Sequence, residues 1–309
     1  PNQWRQDDWC DTLTYDFVGG TQQSGAITSY TYTAAATALP VPTKTGYIFK
    51  GWANNGTTGT MTPTNWLVNS TDATTGTVTT SIAAGAYNTT KSVTEIRLKA
   101  NWQIDENNSV WAYRVSLDGG TTWDRYFTTT EGLATVRTYL DGKAGSMSVT
   151  NTIVELLQDV AGNSFFQTST ANVKFTFRSG TRTKDTGKYT LKMSAAGILF
   201  RMNGTNDEVK FTNVILDGNN IANSSGGPLL ELIGGGTKAT LSSGAVMQNG
   251  KITSGTYGGG AVFVGGTEMG SGFGCYTTPA TFVMEGDAVI KNGDTVTSGG
   301  GIYVGRGAA

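Results

Sequence analysis

Apolar side chains in this chain recur at every second position over several short stretches. In "TLTYDFVGGT" (Thr12–Thr21) Leu13, Tyr15 and Phe17 alternate with polar neighbours until Gly19-Gly20. Tyr47 and Phe49 in "LPVPTKTGYIFKGW" keep that spacing, as do Ile96, Leu98 and Ala100 in "VTEIRLKANW". One buried face of a strand requires this period of two. Pro40 and Pro42 cannot donate to a central ladder and so mark where a strand begins. Lys44-Thr45-Gly46 reads as a tight turn with glycine supplying positive φ. Trp52 and Trp102 read as anchors of a core or its rim.

Farther along, "VWAYRVSLDGGTTWDRYFTT" (Val110–Thr129) predicts two strands around a turn at Asp118-Gly119-Gly120. The period then changes. Leu133, Val136, Tyr139 and Leu140 share one face of a helix predicted over about residues 130–141. Thr129 or Thr130 would cap it, Glu131 lies in its first turn, and Gly142 ends it. After it, "NTIVELLQDV" (Asn151–Val160) returns to strand. A stack of β layers exposes an apolar, hydrogen-bonding end, and a single amphipathic helix is suited to covering one.

The last third repeats. "KATLSSGAVMQNG" (Lys238–Gly250) corresponds to "PATFVMEGDAVIKNG" (Pro279–Gly293), and the two lead into "GGGAVFVGG" and "GGGIYVGRG". Gly259 and Gly300 align 41 residues apart, and Asn249 and Asn292 align 43 apart. A weaker copy runs from "EVKFTNVILDGNN" (Glu208–Asn220) to "GGPLLELIGG" (Gly226–Gly235). Short strands punctuated by Gly, Asn and Thr suit coils wound round a narrow core and stacked about 4.8 Å apart. Glycines would serve the corners. Asn219, Asn249 and Asn292 would take left-handed turns, their amides bonding to the equivalent residue one layer away. The rival is a β-sandwich with hairpins across "QNGK" and "KNGD". The recurrence favours the stack.

Two resemblances follow. Tyr15-Asp16-Phe17, Gly19-Gly20, Pro42, Gly46-Tyr47-Ile48-Phe49-Lys50-Gly51-Trp52 and Ala100-Asn101-Trp102 match in order the Listeria–Bacteroides repeat of internalin-type surface proteins, over residues 11–103. The resemblance implies a β-grasp-like module on a secreted or wall-attached protein and no activity. Residues 104–309 resemble the pectate-lyase-like repeats of bacterial adhesins. The fold expected is therefore mainly β: a β-grasp-like repeat domain over 1–103, then a right-handed parallel β-helix over 104–309 with an N-terminal capping helix.

Charge narrows the function. Lys+Arg 22 against Asp+Glu 23 leaves a net charge of −1, with none of the basic excess that binding nucleic acid demands. No apolar run is long enough to span a membrane. Cys10 and Cys275 are the only cysteines and there is no histidine, which argues against a zinc site. A disulfide between the two cysteines stays open, with unpaired or intermolecular thiols preferred. Few cysteines and abundant Thr, Asn and Gly suit a bacterial extracellular protein. The chain opens on Pro1 and stops just past a strand, so it is expected to belong to a longer polypeptide. Leu39-Pro40 lacks the threonine of a wall-sorting signal, since Pro42 stands there.

An enzyme on such a fold would need clustered carboxylates. The candidates are Asp217, Glu231 and the Glu285–Asp287 pair, with Asp207–Glu208 at a turn; all are expected to be solvated turn carboxylates. Neither "LDGG" nor "LDGN" has the alternating acidic ligands of a calcium loop, and the glycine strings lack a phosphate-binding context. No catalytic residue, cofactor or metal is therefore expected. The loop "GGTEMGSGFGCYTTP" (Gly265–Pro279) breaks the repeat and carries Met269, Phe273, Cys275 and Tyr276, a candidate partner-binding loop. The function expected is a non-enzymatic, adhesin-like segment of a bacterial surface protein. Its partners would be a host or neighbouring-cell glycan or protein, or other copies of itself. The alternatives are a surface-layer or filament subunit and a polysaccharide lyase or glycoside hydrolase.

Overall fold

The computed structural model describes residues 10–22, 25–62, 64–68, 79–89, 95–162, 166–168, 170–224, 227–254, 258–265, 278–296 and 298–305. It divides into two units, Pro1–Asn108 and Ser109–Ala309. The described residues are mainly β, with one short helix and several parallel sheets.

The first unit contains β1 (Cys10–Asp16), β2 (Ser29–Thr31), β3 (Thr37–Ala38), β4 (Tyr47–Asn54), β5 (Met61–Thr62), β6 (Ser81–Ile82), β7 (Tyr87–Asn88) and β8 (Glu95–Ile104). Four of these form a sheet in the order β2-β1-β8-β4. Its centre is a parallel pair, with Leu13 opposite Ile96 and Tyr15 opposite Leu98. The period of two at Ile96, Leu98 and Ala100 buries all three. On β4 the period breaks for a reason. A bulge between Phe49 and Gly51 shifts the register, Gly51 takes φ +121°, and Trp52 thereby enters the core. Its indole donates to the Pro40 carbonyl at 2.8 Å. Trp102 is half-buried and donates to the Phe17 carbonyl at 3.0 Å. The turn at Lys44-Thr45-Gly46 closes with the Tyr47 N–H on the Lys44 carbonyl and Gly46 at φ +81°.

The second unit opens with the antiparallel pair β9 (Trp111–Ser116) and β10 (Arg125–Thr128) around the Asp-Gly-Gly turn, followed by α1 (Gly132–Asp141). The helix buries Leu133, Val136 and Leu140 in the cluster that also holds Tyr113, Phe127 and Phe166. The expected cap from Thr129 or Thr130 is not formed. One residue earlier, the Thr128 hydroxyl accepts from the Glu131 N–H while the Glu131 carboxylate accepts from the Thr128 N–H. This reciprocal pair closes the turn before Gly132, whose φ of +65° redirects the chain into the helix.

From there the strands recur in sets, here called coils, each spread over different parallel sheets. A first coil holds β11 (Ile153–Leu156), β12 (Val160–Gly162) and β13 (Phe166–Gln167); a second holds β14 (Lys174–Ser179), β15 (Thr190–Met193) and β16 (Phe200–Met202). The third holds β17 (Glu208–Thr212), β18 (Ile215–Asp217) and β19 (Leu230–Leu232). The fourth holds β20 (Lys238–Leu241), β21 (Val246–Gln248), β22 (Lys251–Ile252) and β23 (Val262–Val264); the fifth holds β24 (Thr281–Met284), β25 (Val289–Lys291), β26 (Asp294–Thr295) and β27 (Ile302–Val304). Successive strands of a coil belong to different sheets, and each pairs in parallel with its counterpart in the next coil. The hairpins a sandwich would need do not form, because β21 pairs with β25 and β22 with β26, both parallel.

Parallel, in-register pairing places like on like inside. Phe177 lies opposite Phe211 and Phe211 opposite Leu241, all three buried. Phe166, Phe175, Phe177, Phe200 and Phe211 are fully buried and touch in chains, Phe200 to Phe211 at 4.9 Å between ring centres. Each such burial stabilises by roughly 1.5–3 kcal/mol. The glycine runs have two physical reasons. Gly259 and Gly299 take φ +79° and +68°, whereas a Cβ on Gly250 would lie 2.0 Å from the Gly260 carbonyl oxygen. The alignment by glycines is off by one residue. Val262 pairs with Ile302, so Gly259 matches Gly299, not Gly300, and Ala261 takes the place of Gly301. Side-chain direction decides this: that register stacks Ile302 on the buried Val262 against the core.

Candidate functional site

Met269, Phe273, Cys275 and Tyr276 lie outside the described residues, as does any pairing of Cys275 with Cys10. What is described is the base of their loop. Gly265 donates to the Leu232 carbonyl at 2.7 Å, and the Ala280 N–H returns to the Gly265 carbonyl at 3.2 Å. Gly265 and Ala280, which flank the loop, are thus hydrogen-bonded to each other.

Three of the carboxylates correct the expectation of solvated turn groups, whereas Glu285 and Asp287 are exposed. Asp217, Glu231 and Asp207 are all buried: parallel stacking encloses Asp207 just before β17 and Asp217 at the end of β18, and it sets Glu231 in the middle of β19 between neighbouring strands. Asp217 accepts from Gln248 and Asn249, at 2.9 Å each, and from the Asn219 N–H at 2.7 Å. Burial raises its pKa, but these bonds outweigh it and hold the carboxyl below its usual value. Glu231 sits on β19, in a different sheet from Asp217 on β18. It pairs with Arg201, yet its Oε1 has no hydrogen-bond partner, and burial pushes its pKa up. Asp207 accepts from the N–H groups of Val173 and Gly204 at 2.9 and 2.8 Å; burial raises it as well. Glu285 is exposed and holds Lys210 and Ser242, while Asp287 accepts the Gly244 N–H at 2.7 Å. Glu208 pairs with Lys238 at 3.2 Å. Asp217 and Glu231 thus lie on strands of different sheets, each with its own hydrogen-bonding partners.

Asp118, in the first of the two calcium-loop candidates, is occupied by its own turn. The N–H and hydroxyl of Thr122 and the Ser116 hydroxyl bond to it and pull it down to about 2. Among the described residues no three His, Cys, Asp or Glu side chains cluster closely enough to hold a metal ion.

Two polar assemblies escaped the sequence reading. In the first, Glu155 on β11 is buried between Arg114 at 2.6 Å and Arg178 at 2.8 Å, and Trp123 stacks 3.6 Å from the Arg114 guanidinium. Nothing in the spacing of these residues announces the triad, because β9 and β14 are joined only by their pairing with β11. In the second, Asp185 binds Arg182 through both carboxylate oxygens, at 2.9 Å each, and also accepts the Arg182 N–H and the Tyr189 hydroxyl. Arg182 in turn donates to the Leu157 carbonyl. The Arg-x-x-Asp spacing within "RTKDTGKY" was the available signal.

A family model described as the Listeria-Bacteroides repeat domain matches residues 12–79. The match takes in the Gly-Tyr-x-Phe-x-Gly-Trp segment and stops short of Ala100-Asn101-Trp102. No curated protein and no solved structure matches the chain. The repeat is associated with extracellular surface proteins of bacteria, and no helix among the described residues is long and apolar enough to cross a membrane. Within residues 12–79 the chain is similar to that repeat.

Proposed function

We propose that this chain is a non-enzymatic, adhesin-like segment of an extracellular bacterial surface protein. Its first unit is a β-grasp-like repeat module. Its second is a right-handed parallel β-helix with α1 as its N-terminal cap, serving as stalk or binding face. The observation that carries this is the recurrence of successive strands in three long sheets, joined in the last two coils by the two-stranded sheet of β22 and β26, with counterparts in neighbouring coils paired in parallel. Such an array has backbone hydrogen bonds along its length, so extension must break whole coils rather than peel single strands. The repeat match supports a surface setting. The engagement of Asp217 by Gln248, Asn249 and Asn219 favours binding or support over hydrolysis.

Force spectroscopy on the intact chain tests the stalk. Stepwise release in increments of one coil is expected; smooth extension at low force would overturn it. Display on a bacterial surface, followed by adhesion to immobilised matrix proteins and glycans, tests the adhesin. Adhesion equal to undecorated cells on every surface would overturn that part.

A further inference from the structure

Connections between the first two strands of a coil are short: residues 157–159, 213–214, 242–245 and 285–288. The second coil instead inserts residues 180–189. A surface insertion of this length would ordinarily be mobile, yet this one is clasped. Asp185 gathers the Arg182 backbone N–H, the Arg182 guanidinium and the Tyr189 hydroxyl. Arg182 is buried and ties the loop to the Leu157 carbonyl, and Glu155 accepts the Thr181 hydroxyl at 2.8 Å. Gly180 is required beneath, since a Cβ there would lie 2.2 Å from Asp185 Oδ2. The clasp is internally neutral, one guanidinium to one carboxylate. What it holds outward is Thr183, Lys184, Thr186 and Lys188, all exposed.

We propose that this loop is a preorganised cationic docking site for an acidic polysaccharide. Two ammonium groups interleaved with hydroxyls match the alternation of carboxylate or sulfate with hydroxyl along such a polymer. The exposed tip carries no apolar or aromatic side chain of the kind that anchors a protein partner. Fixing the loop beforehand removes ordering cost from the binding step. The inference rests on the second unit being a binding face; force spectroscopy would still report the stalk if the loop bound nothing.

The test measures binding of the intact chain to polygalacturonate and dextran sulfate, with neutral dextran as control, over a range of salt. Binding to both polyanions, weakening as salt rises, is expected. The double variant Lys184→Ala/Lys188→Ala should bind roughly tenfold more weakly, with a shallower salt dependence. Asp185→Asn separates a built site from mere charge. It leaves both lysines and makes the chain less negative, so simple attraction would strengthen binding, whereas a loosened loop weakens it by about threefold or more. Tyr189→Phe removes one clasp bond with no change of charge, should weaken binding in the same direction, and carries the test if Asp185→Asn fails to fold. Equal binding of neutral dextran, no binding of either polyanion, or unchanged affinity in the lysine variant would overturn the proposal. So would equal or tighter binding by folded Asp185→Asn, or by Tyr189→Phe where it carries the test.

Discussion

The side-chain amide of Asn292 donates to Oδ1 of Asn249, 3.0 Å away and one coil earlier. Asn249 in turn donates to Oδ1 of Asp217 at 2.9 Å, so a carboxylate and two amides form one ladder across three coils. Both asparagines lie in the left-handed region, at φ +55° and +58°. Asn249→Gly keeps that backbone and removes the side-chain bonds, at a cost of about 1 kcal/mol. Asn249→Ala adds backbone strain and is expected to cost about 1–2 kcal/mol more. Urea denaturation of the two variants separates the contributions; equal losses would show that the conformation carries none of the effect.

Gly250→Ala places a methyl 2.0 Å from the Gly260 carbonyl oxygen, where the neighbour is backbone and cannot turn aside. A loss of about 3 kcal/mol or more is expected. Gly187→Ala, with nothing within 4 Å, is the control and should change stability by less than about 1 kcal/mol. Thermal melts of the pair check this.

Glu155 pairs with two arginines, Arg114 buried beside it and Arg178 partly exposed. Glu155→Ala leaves Arg114 enclosed without its carboxylate, and a loss of about 3–5 kcal/mol is expected. Because Thr181 also bonds Glu155, hydrogen exchange should rise at the base of the 180–189 loop.

Asp118 is held down to about 2 from its ordinary 3.8. Its ionised form therefore stabilises the fold above pH 3.8, and the contribution is lost as pH falls from 3.8 through about 2. Asp118→Asn should be less stable than the parent at neutral pH, with the difference closing across that window. A difference independent of pH would show that the turn does not depend on the charge.

Glu231 behaves with the opposite sign. Burial raises its pKa above the ordinary 4.5, so its protonated form is favoured in the folded state, and stability drains away as pH rises from 4.5 through the raised value. Glu231→Gln removes this dependence and should gain on the parent as pH rises. Melting temperatures of both proteins from pH 4 to 8 give the comparison.

Much of this was legible in the residues. The alternation at Ile96, Leu98 and Ala100 buried as it implied, and Asn249 and Asn292 met through their amides because their spacing equals one coil. Asn219 did not join them. The register sets Gly218 opposite Asn249, with the Gly218 N–H donating to the Gln248 carbonyl, so Asp217 takes the place in the ladder expected of Asn219. A one-residue slip of this kind cannot be seen in a repeat whose copies differ in length. The loop bearing Phe273 and Tyr276 was conspicuous in the sequence; the clasped loop bearing Lys184 and Lys188 was not, since its rigidity depends on partners such as Leu157.

By itself the sequence determined the local matters: where strands run, where glycine or asparagine must turn the chain, where helix α1 lies, and that one unit recurs. These follow from φ/ψ preference and side-chain period, which act over a few residues. Only the tertiary structure decided the register between coils, the burial of Asp217, Glu231 and Asp207, and the joining of Arg114, Glu155 and Arg178. Those depend on which backbones lie side by side, and that is settled when the whole core packs.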